Sequence, residues 1–294
     1  MSNIIVIKGF KKYFGKLHAV DGIDLEVKKG EILGFLGPNG SGKSTTIRCL
    51  MGFNRPTDGV IHVFGYDMST DSVKAKTQIG YLPGNVKLYD NWTGWDHIRF
   101  FEGVRGKSIN IDNLINRFNF DPTAKFKHLS SGNQQKLGLI LALMHQPKLL
   151  VMDEPTVGLD PLLQNEIYKV LMEMRDLGTT IFISSHNLPE VERLCDRVAI
   201  IKEGKLVAVE NIKTLGDKKL HKIEVRLADK YNLSEFEING VEKVEAVSDG
   251  LLITVGGDLN PVLHVLARHK IIDLEITHAS LEDVFMKFYE KEVN

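Results

Sequence analysis

The alternation of hydrophobic and polar positions predicts an α/β fold for most of the chain. Two segments alternate in the manner of half-buried strands, and others are continuous apolar runs, as in the buried strands of a parallel sheet. Segments with helical character separate these runs. The predicted strands are residues 3–8, 23–27, 31–36, 60–64, 78–82, 148–152, 179–184, 197–201 and 205–209. The predicted helices begin near residues 43, 93 and 130 or cover residues 110–119, 161–177 and 188–195.

The pattern changes after about Leu215. The remaining residues combine strands with two helical segments, and they contain neither a glycine-rich loop nor a catalytic constellation. The predicted strands are 223–227, 241–247, 251–255 and 271–276, and the predicted helices are 260–269 and 280–289. We therefore predict a larger α/β domain at residues 1–215 and a small C-terminal α+β domain at residues 216–294.

Composition excludes several classes of protein. The 294 residues carry a net charge of −1, so no general attraction to nucleic acid or anionic lipid is expected. The two cysteines, Cys49 and Cys195, lack metal-ligand spacing and indicate buried thiols in a reducing compartment. The first residues run directly into a predicted strand, so we expect no signal peptide. The longest apolar run, Leu137–Met144, is too short to span a membrane.

The stretch from Gly37 to Thr45 carries the most specific chemical signal. It matches G-x-x-x-x-G-K-[ST], the phosphate-binding P-loop, and it lies between a strand and a helix, as this motif requires. Its glycines let backbone N–H groups surround a phosphate chain at a helix N-terminus. We expect Lys43 to reach the β- and γ-phosphates and Ser44 to hold Mg²⁺. The predicted nucleotide-binding residues of the loop are Gly37, Pro38, Asn39, Gly40, Ser41, Gly42, Lys43, Ser44 and Thr45.

Two carboxylates end the buried strand at residues 148–152. Asp153 and Glu154 follow a run of apolar residues, and ligands of open α/β sheets collect at the carboxyl ends of such strands. Asp153 is therefore placed to hold Mg²⁺ through water, and Glu154 to accept a proton from an attacking water. His186 ends the next buried strand and is a third candidate.

Two predicted helix N-termini carry further polar residues. Ser130 can cap the helix that follows it, and the small residues after it leave backbone donors open, which predicts a second anion site. Asp160 before Pro161 is an ordinary pair at the start of a helix.

These motifs occur in the order and close to the spacing of one family, the ATP-binding subunits of ABC transporters, which the chain resembles over about residues 3–215. The resemblance implies an ATPase with a RecA-like core, an antiparallel β subdomain and a helical subdomain, and ATP and Mg²⁺ as its ligands. The motifs are Gly37–Thr45, Leu129–Asn133, Val151–Glu154, Gly158–Asp160 and His186.

The C-terminal part resembles the small domain of bacterial drug and antibiotic exporter ATPases of the bacitracin- and daunorubicin-resistance type. Ser280–Phe285, near its end, carries this looser resemblance. It implies a bacterial or archaeal protein at the cytoplasmic face of the membrane, bound to a separate permease. The sequence leaves the cargo and the role of this domain open.

The resemblance implies a dimer that encloses two ATP molecules, formed with a second copy or a paralogous ATPase subunit. Each nucleotide would lie between one chain's P-loop and the partner's signature sequence, and Asp160 would lie at the dimer seam. The sequence does not distinguish homodimer from heterodimer. The signature residues are Ser130, Ser131, Gly132 and Asn133.

The resemblance also implies roles around the nucleotide. Glu154 would be the general base, Asp153 would hold Mg²⁺ through water, and His186 would contact the γ-phosphate alongside Lys43. The aromatic residue that stacks on adenine usually stands directly before a glycine. Phe14 meets this condition, and Tyr13 is the alternative.

The chain departs from the family pattern at one position with chemical consequences. Many members place a glutamine after the strand at residues 78–82, where it contacts Mg²⁺ and the attacking water. The matching residue here is Gly84, with Asn85 beside it. Either Asn85 substitutes or the contact is absent, and we expect low basal ATPase activity with dependence on a membrane partner.

Leu88–Phe101 contains both tryptophans of the chain, Trp92 and Trp95. In the family this region receives a short helix of the membrane subunit, so we expect the permease to dock near it, and core packing is the alternative.

The sequence argues against two other functions. A soluble ABC-type ATPase acting on ribosomes or DNA is disfavoured by the single P-loop and the lack of a heptad run. The intact Glu154 and His186 disfavour a non-enzymatic ATP switch.

Overall fold

The computed structural model of the protein describes residues 2–108, 110–212, 220–248 and 250–278. The chain divides into two compact units, with the boundary between Val209 and Glu210. The predicted boundary at residue 215 and the predicted closing helix at 280–289 lie outside the described residues. In the described ranges, no helix is long and apolar enough to cross a membrane.

The described part of the first unit forms an antiparallel sheet with the order β2-β1-β4-β5 and a six-stranded sheet with the order β10-β9-β3-β8-β7-β6. The separation agrees with the predicted division into an antiparallel β subdomain and an α/β core. The strands are β1 (Asn3–Phe14), β2 (Leu17–Lys28), β3 (Ile32–Leu36), β4 (Asp58–Val63), β5 (Tyr66–Asp67), β6 (Ile79–Leu82), β7 (Leu149–Asp153), β8 (Thr180–Ser185), β9 (Arg197–Lys202) and β10 (Lys205–Asn211).

The first two strands are longer than the alternation of the sequence predicts. The alternation predicts strands at 3–8 and 23–27, but β1 and β2 pair almost to their ends and leave only Gly15 and Lys16 as the turn. Gly15 has a φ of +59°, which suits a tight turn because glycine adopts positive φ without strain. Polar side chains near the tip of a hairpin remain in water, so they do not interrupt the pairing.

The six-stranded sheet brings the predicted motifs to one edge. β3 pairs in parallel with β8 and β9, and β7 pairs in parallel with β6 and β8. The side chains of β3 and β8 are fully buried, as are the first four of β7, which explains their apolar runs. Because parallel strands end at the same edge of a sheet, the P-loop and the residues after β7 and β8 lie next to one another.

Most helices of this unit pack against its sheets, and the third and fourth helices pack against the fifth. Thr93 forms the predicted N-cap, and its capping box with Asp96 fixes the start of the third helix. Ser130 and Asp160 also cap helices with their side chains, which confirms the expected starts of those two helices. The helices are α1 (Lys43–Leu50), α2 (Ser72–Lys76), α3 (Gly94–Arg105), α4 (Ile111–Arg117), α5 (Ser131–Leu143), α6 (Pro161–Asp176) and α7 (Leu188–Leu194).

The second unit contains an antiparallel sheet with the order β12-β13-β11-β14. Phe236, from a short 3-10 helix, packs with the buried faces of the strands and of α8. The elements are β11 (Leu220–Leu227), β12 (Val241–Val247), β13 (Gly250–Gly256), α8 (Asn260–Leu266) and β14 (Ile271–His278).

Candidate active site

The P-loop connects β3 to α1 in a conformation that requires glycine at two positions. Gly42 has a φ of +109°, and a Cβ there would lie 2.5 Å from the carbonyl oxygen of Ala19. A Cβ on Gly37 would lie 2.3 Å from the carbonyl oxygen of Ile201. Real side chains do not approach a carbonyl so closely. The loop is therefore packed tightly against the β1–β2 and β9 regions, and its shape is set before any ligand binds.

Lys43 is buried, and its ammonium group folds back over the loop. Its Nζ atom donates to the carbonyl oxygens of Gly37 and Pro38, at 2.7 and 3.1 Å. It also lies 3.4 Å from Oε1 of Glu154. Lys43 thus carries its charge at the centre of the loop.

The Glu154 carboxylate lies between the side chains of Lys43 and His186. One carboxylate oxygen faces Lys43, and the other lies 3.2 Å from Nδ1 of His186. The backbone of Glu154 adopts a φ of +50°, and its N–H donates to the hydroxyl and carbonyl oxygens of Ser184. A left-handed backbone at a non-glycine residue is costly and is concentrated at functional sites. The predicted residues Lys43, Glu154 and His186 therefore meet.

Asp153 lies beside this cluster at the end of β7. Its Oδ1 atom accepts a 2.6 Å hydrogen bond from the Ser184 hydroxyl. Gly84 follows the end of β6, the neighbouring strand, and a Cβ there would lie 3.2 Å from the backbone oxygen of Asp153 and 3.6 Å from its carboxyl group. Gly84 thus faces the proposed Mg²⁺ residue without a side chain, and Asn85 next to it is exposed.

A pocket of about 460 Å³ opens above the P-loop. Two observations fit a nucleotide with Mg²⁺. The buried hydroxyl of Ser41 has no hydrogen-bond partner among the described residues. The exposed Ser44 hydroxyl and the Asp153 carboxylate are oxygen ligands of the kind that Mg²⁺ prefers. The pocket is lined by Leu17, His18, Ala19, Asn39, Gly40, Gly42, Lys43, Ser44, Thr45, Glu154 and Glu203.

The wall of the pocket that faces the β1–β2 hairpin includes residues that the sequence did not single out. His18 lines the pocket, and its ring stacks on Tyr13 at 3.9 Å. The Tyr13 hydroxyl donates to Asp21, and this hydrogen bond raises the pKa of Tyr13 and lowers that of Asp21. Phe14 is 47% exposed at the hairpin tip, with the Lys12 ammonium over its ring, and is not among the lining residues. Tyr13 and His18 pair across the hairpin, and this contact follows from the register of β1 and β2 rather than from a sequence pattern.

The signature residues and Asp160 lie outside this pocket. Ser130 and Ser131 are exposed at the start of α5, where the Ser130 hydroxyl accepts from the N–H of Asn133 at 3.3 Å. Asp160 is exposed and caps α6 through the N–H of Leu163. A single chain therefore does not bring these residues to its own P-loop.

The region at Leu88–Phe101 contributes to two surface features. Leu88 and Phe101 line an apolar groove of about 260 Å³, whose other walls include Phe53 and Tyr81. Neither tryptophan lines that groove. Trp92 is half-buried and contacts the exposed rings of Tyr89 and Phe100 at 4.4 and 5.5 Å, forming an aromatic patch.

The fold and this site define the class of the protein. The family model described as ABC transporter matches residues 20–157. The bacitracin transport ATP-binding protein BcrA of Bacillus licheniformis is 34% identical over an alignment of 300 residues, which covers 98% of this chain and 97% of BcrA. The chain belongs to the ABC transporter ATP-binding proteins, a family of ATPases.

Two further proteins are similar to parts of the chain. The probable multidrug ABC transporter ATP-binding protein YbhF of Escherichia coli (strain K12) is 39% identical over 212 residues, which cover 70% of this chain but only 36% of YbhF. The solved structure of cbiO1 from Clostridium perfringens, part of the ABC transporter complex cbiONQ, is 29% identical with a TM-score of 0.63, covering 74% of this chain and 92% of that one. The structural likeness confirms the predicted P-loop cassette fold.

Proposed function

We propose that this chain is the motor subunit of an ABC exporter, in which ATP binding and hydrolysis drive a separate membrane permease. One observation carries the proposal: the Glu154 carboxylate lies at the carboxyl end of β7, between the Lys43 ammonium and the His186 imidazole. A carboxylate in this position can activate water next to a phosphate group that the P-loop holds. Residues 1–215 form the ATPase domain, and residues 216–294 form an accessory domain.

In the proposed reaction, Glu154 orients a water molecule and accepts its proton as the water oxygen bonds to the γ-phosphorus. The bond from phosphorus to the β–γ bridging oxygen breaks, and ADP and phosphate leave. Lys43 and His186 stabilise the charge that develops on the phosphoryl group. Ser44 and, through water, Asp153 would hold Mg²⁺, which would supply positive charge against the phosphate oxygens. Phe14 is the proposed adenine-stacking ring, and Tyr13, which stacks on the pocket residue His18, is the alternative.

The signature sequence acts in trans. Ser130, Ser131, Gly132 and Asn133 are displayed at the N-terminus of α5 but lie outside the chain's own pocket, which supports a head-to-tail dimer. In such a dimer, the α5 N-terminus of one chain contacts the γ-phosphate bound by the other. Asp160 lies at the seam. ATP binding closes the dimer, and loss of the γ-phosphate opens it.

The names of the relatives support an exporter. BcrA is described as a bacitracin transport protein and YbhF as a probable multidrug transporter, so we infer a drug, antibiotic or peptide-like cargo. The chain would then work at the cytoplasmic face of the membrane in a bacterium or archaeon. The groove and the aromatic patch at Leu88–Phe101 form the proposed docking surface for the permease. The relatives do not favour a ribosome- or DNA-directed ATPase.

Affinity purification of the tagged chain from detergent-solubilised native membranes tests this function. We expect a hydrophobic protein with several predicted membrane spans to be recovered in stoichiometric amount, because a motor subunit must be held by its permease. Mass spectrometry identifies the partner. The Trp92→Ala variant should recover less of it while binding ATP with unchanged affinity.

The Lys29→Ala variant, altered at the opposite end of β3 from the P-loop, serves as the control in this purification. Recovery of ribosomal or nucleic-acid partners, or of no partner at all, would contradict the exporter. Loss of ATP binding in Trp92→Ala would instead assign Trp92 to the core.

Gly84 predicts slow hydrolysis by the isolated chain. Gly84 lies next to Asp153 but has no side chain that could contact Mg²⁺ or the attacking water. We therefore expect fewer turnovers than about 1 per second, the lower end of typical kinase rates. Steady-state phosphate release measures this rate. Asn85→Ala should lower it further only if Asn85 supplies the missing contact. A rate of about 1–100 per second in the isolated wild-type chain would contradict the expectation.

A further inference from the structure

A buried carboxyl group behind the catalytic strand ends has no role in the reaction described above. Glu190 lies in the first turn of α7, and its side chain is only 3% exposed. In the described part of the chain, the partners of its carboxyl group are hydroxyl groups rather than a lysine or an arginine. Burying a carboxyl group away from a cation is unfavourable unless hydrogen bonds replace its water.

Three hydroxyl groups from three different elements converge on this carboxyl group. The Ser185 hydroxyl, at the end of β8, donates to Oε2 at 2.5 Å. The Thr156 hydroxyl, in the loop after β7, donates to Oε1 at 2.6 Å. The Tyr168 hydroxyl, on α6, lies 3.4 Å from the same oxygen. Burial and, after it, the nearby Glu190 carboxylate raise the pKa of Tyr168 to about 12, so Tyr168 remains a neutral donor.

Two of these hydroxyl groups belong to the segments that carry the reacting groups. Thr156 stands two residues after Glu154, and Ser185 stands directly before His186. The backbone oxygen of Ser185 also accepts from the N–H of Gly37, at 3.2 Å. The carboxyl group of Glu190 therefore connects the loop after β7, the end of β8 and, through Ser185, the first residue of the P-loop.

The signature helix is tied to the same loop. Gln135 on α5 is buried, and its Nε2 atom donates to the carbonyl oxygen of Pro155 at 3.1 Å. Pro155 lies between Glu154 and Thr156. A displacement of Thr156 would therefore move both Glu154, the proposed base, and α5, the helix that presents Ser130 to the partner nucleotide.

We propose that Glu190 is a positioning residue for ATP hydrolysis, which holds Thr156 and Ser185 so that Glu154 and His186 keep their mutual geometry. An apolar residue of similar volume would fill the space between α6, α7 and β8 without the burial of a carboxyl group, so packing alone does not account for the glutamate. Glu190 touches neither the nucleotide pocket nor the reacting atoms. The inference rests on the proposed function.

Glu190→Gln in the full chain tests the proposal. Glutamine keeps the shape, but only one of its two terminal atoms accepts a hydrogen bond, so one of the two close hydroxyl groups loses its acceptor. We expect single-turnover hydrolysis of bound ATP to slow by about 10- to 100-fold, as small misplacements of catalytic groups do. The Kd for ATP should change by less than about twofold, because the P-loop contacts remain.

Three further variants make the test specific. Rates are expressed per bound nucleotide, so that loss of folded protein does not count as loss of catalysis. Ser185→Ala removes a single hydroxyl and should slow hydrolysis in the same direction. Glu192→Gln, an exposed carboxylate on the same helix, should leave the rate unchanged. Glu154→Gln is measured in parallel.

The outcomes distinguish a failure of the positioning role of Glu190 from a failure of the proposed catalytic site. If Glu154→Gln slows hydrolysis while Glu190→Gln and Ser185→Ala retain the wild-type rate per bound nucleotide, Glu190 has a purely structural role and the inference is overturned. If Glu154→Gln itself hydrolyses ATP normally, the proposed catalytic site fails instead. Slow hydrolysis with weakened ATP binding in Glu190→Gln would also overturn the positioning role, because it would place the defect in the pocket.

Discussion

Glu154→Gln is expected to slow ATP hydrolysis by about 10²- to 10⁴-fold, the range that a positioned general base contributes. The amide preserves the size of the side chain and leaves an oxygen for the Lys43 ammonium, which lies 3.4 Å from Oε1 in the wild-type protein. It cannot accept a proton from water. ATP binding should therefore persist, and the chain should accumulate as a closed dimer with ATP.

Phosphate release under single-turnover conditions measures the first effect, and size-exclusion chromatography with and without ATP measures the second. Glu237→Gln introduces the same chemical change in the second unit, on an exposed side chain, and should affect neither measurement. Hydrolysis at the wild-type rate by Glu154→Gln would remove Glu154 from the role of base. Slow hydrolysis without dimer formation would support Glu154 as the base but contradict the closure of a dimer by ATP.

Much of the catalytic side of the fold could be predicted because its signals are local. The apolar run before Asp153 and Glu154 requires a buried strand, and a parallel sheet brings the ends of such strands together. The P-loop pattern fixes its own backbone, since Gly37 and Gly42 tolerate no Cβ. These residues stand at the ends of predicted strands, so their position in the sequence was enough to predict that they lie close together.

The remaining features depend on contacts between residues that are distant in sequence. Thr156 and Glu190 are 34 positions apart, and no sequence pattern in either segment predicts their hydrogen bond. The stacking of His18 on Tyr13 depends on the register of a hairpin that extends beyond the predicted strands 3–8 and 23–27. The apolar groove likewise combines Phe53 with Phe101, and each of these residues alone resembles an ordinary half-buried side chain.

Lys43→Ala is expected to weaken ATP binding by roughly 30- to 150-fold. The substitution removes hydrogen bonds from an ammonium group to phosphate oxygens, and charged hydrogen bonds of this kind contribute about 2–3 kcal/mol. The same ammonium also contacts the carbonyl oxygens of Gly37 and Pro38 and the carboxylate of Glu154. The lost binding free energy is therefore the difference between the interaction of this ammonium with phosphate and its interaction with these internal partners. This difference is smaller than the energy of an isolated ion pair.

Isothermal titration calorimetry with a slowly hydrolysed ATP analogue measures the Kd of Lys43→Ala against that of Lys29→Ala, in which an exposed lysine outside the pocket is removed. Because the P-loop backbone is braced by close packing of Gly37 and Gly42, the thermal stability of Lys43→Ala should remain near that of the wild type. Equal affinities for the two variants would exclude Lys43 from the phosphate site. A parallel collapse of thermal stability would show that Lys43 acts mainly by holding the loop together through its carbonyl contacts.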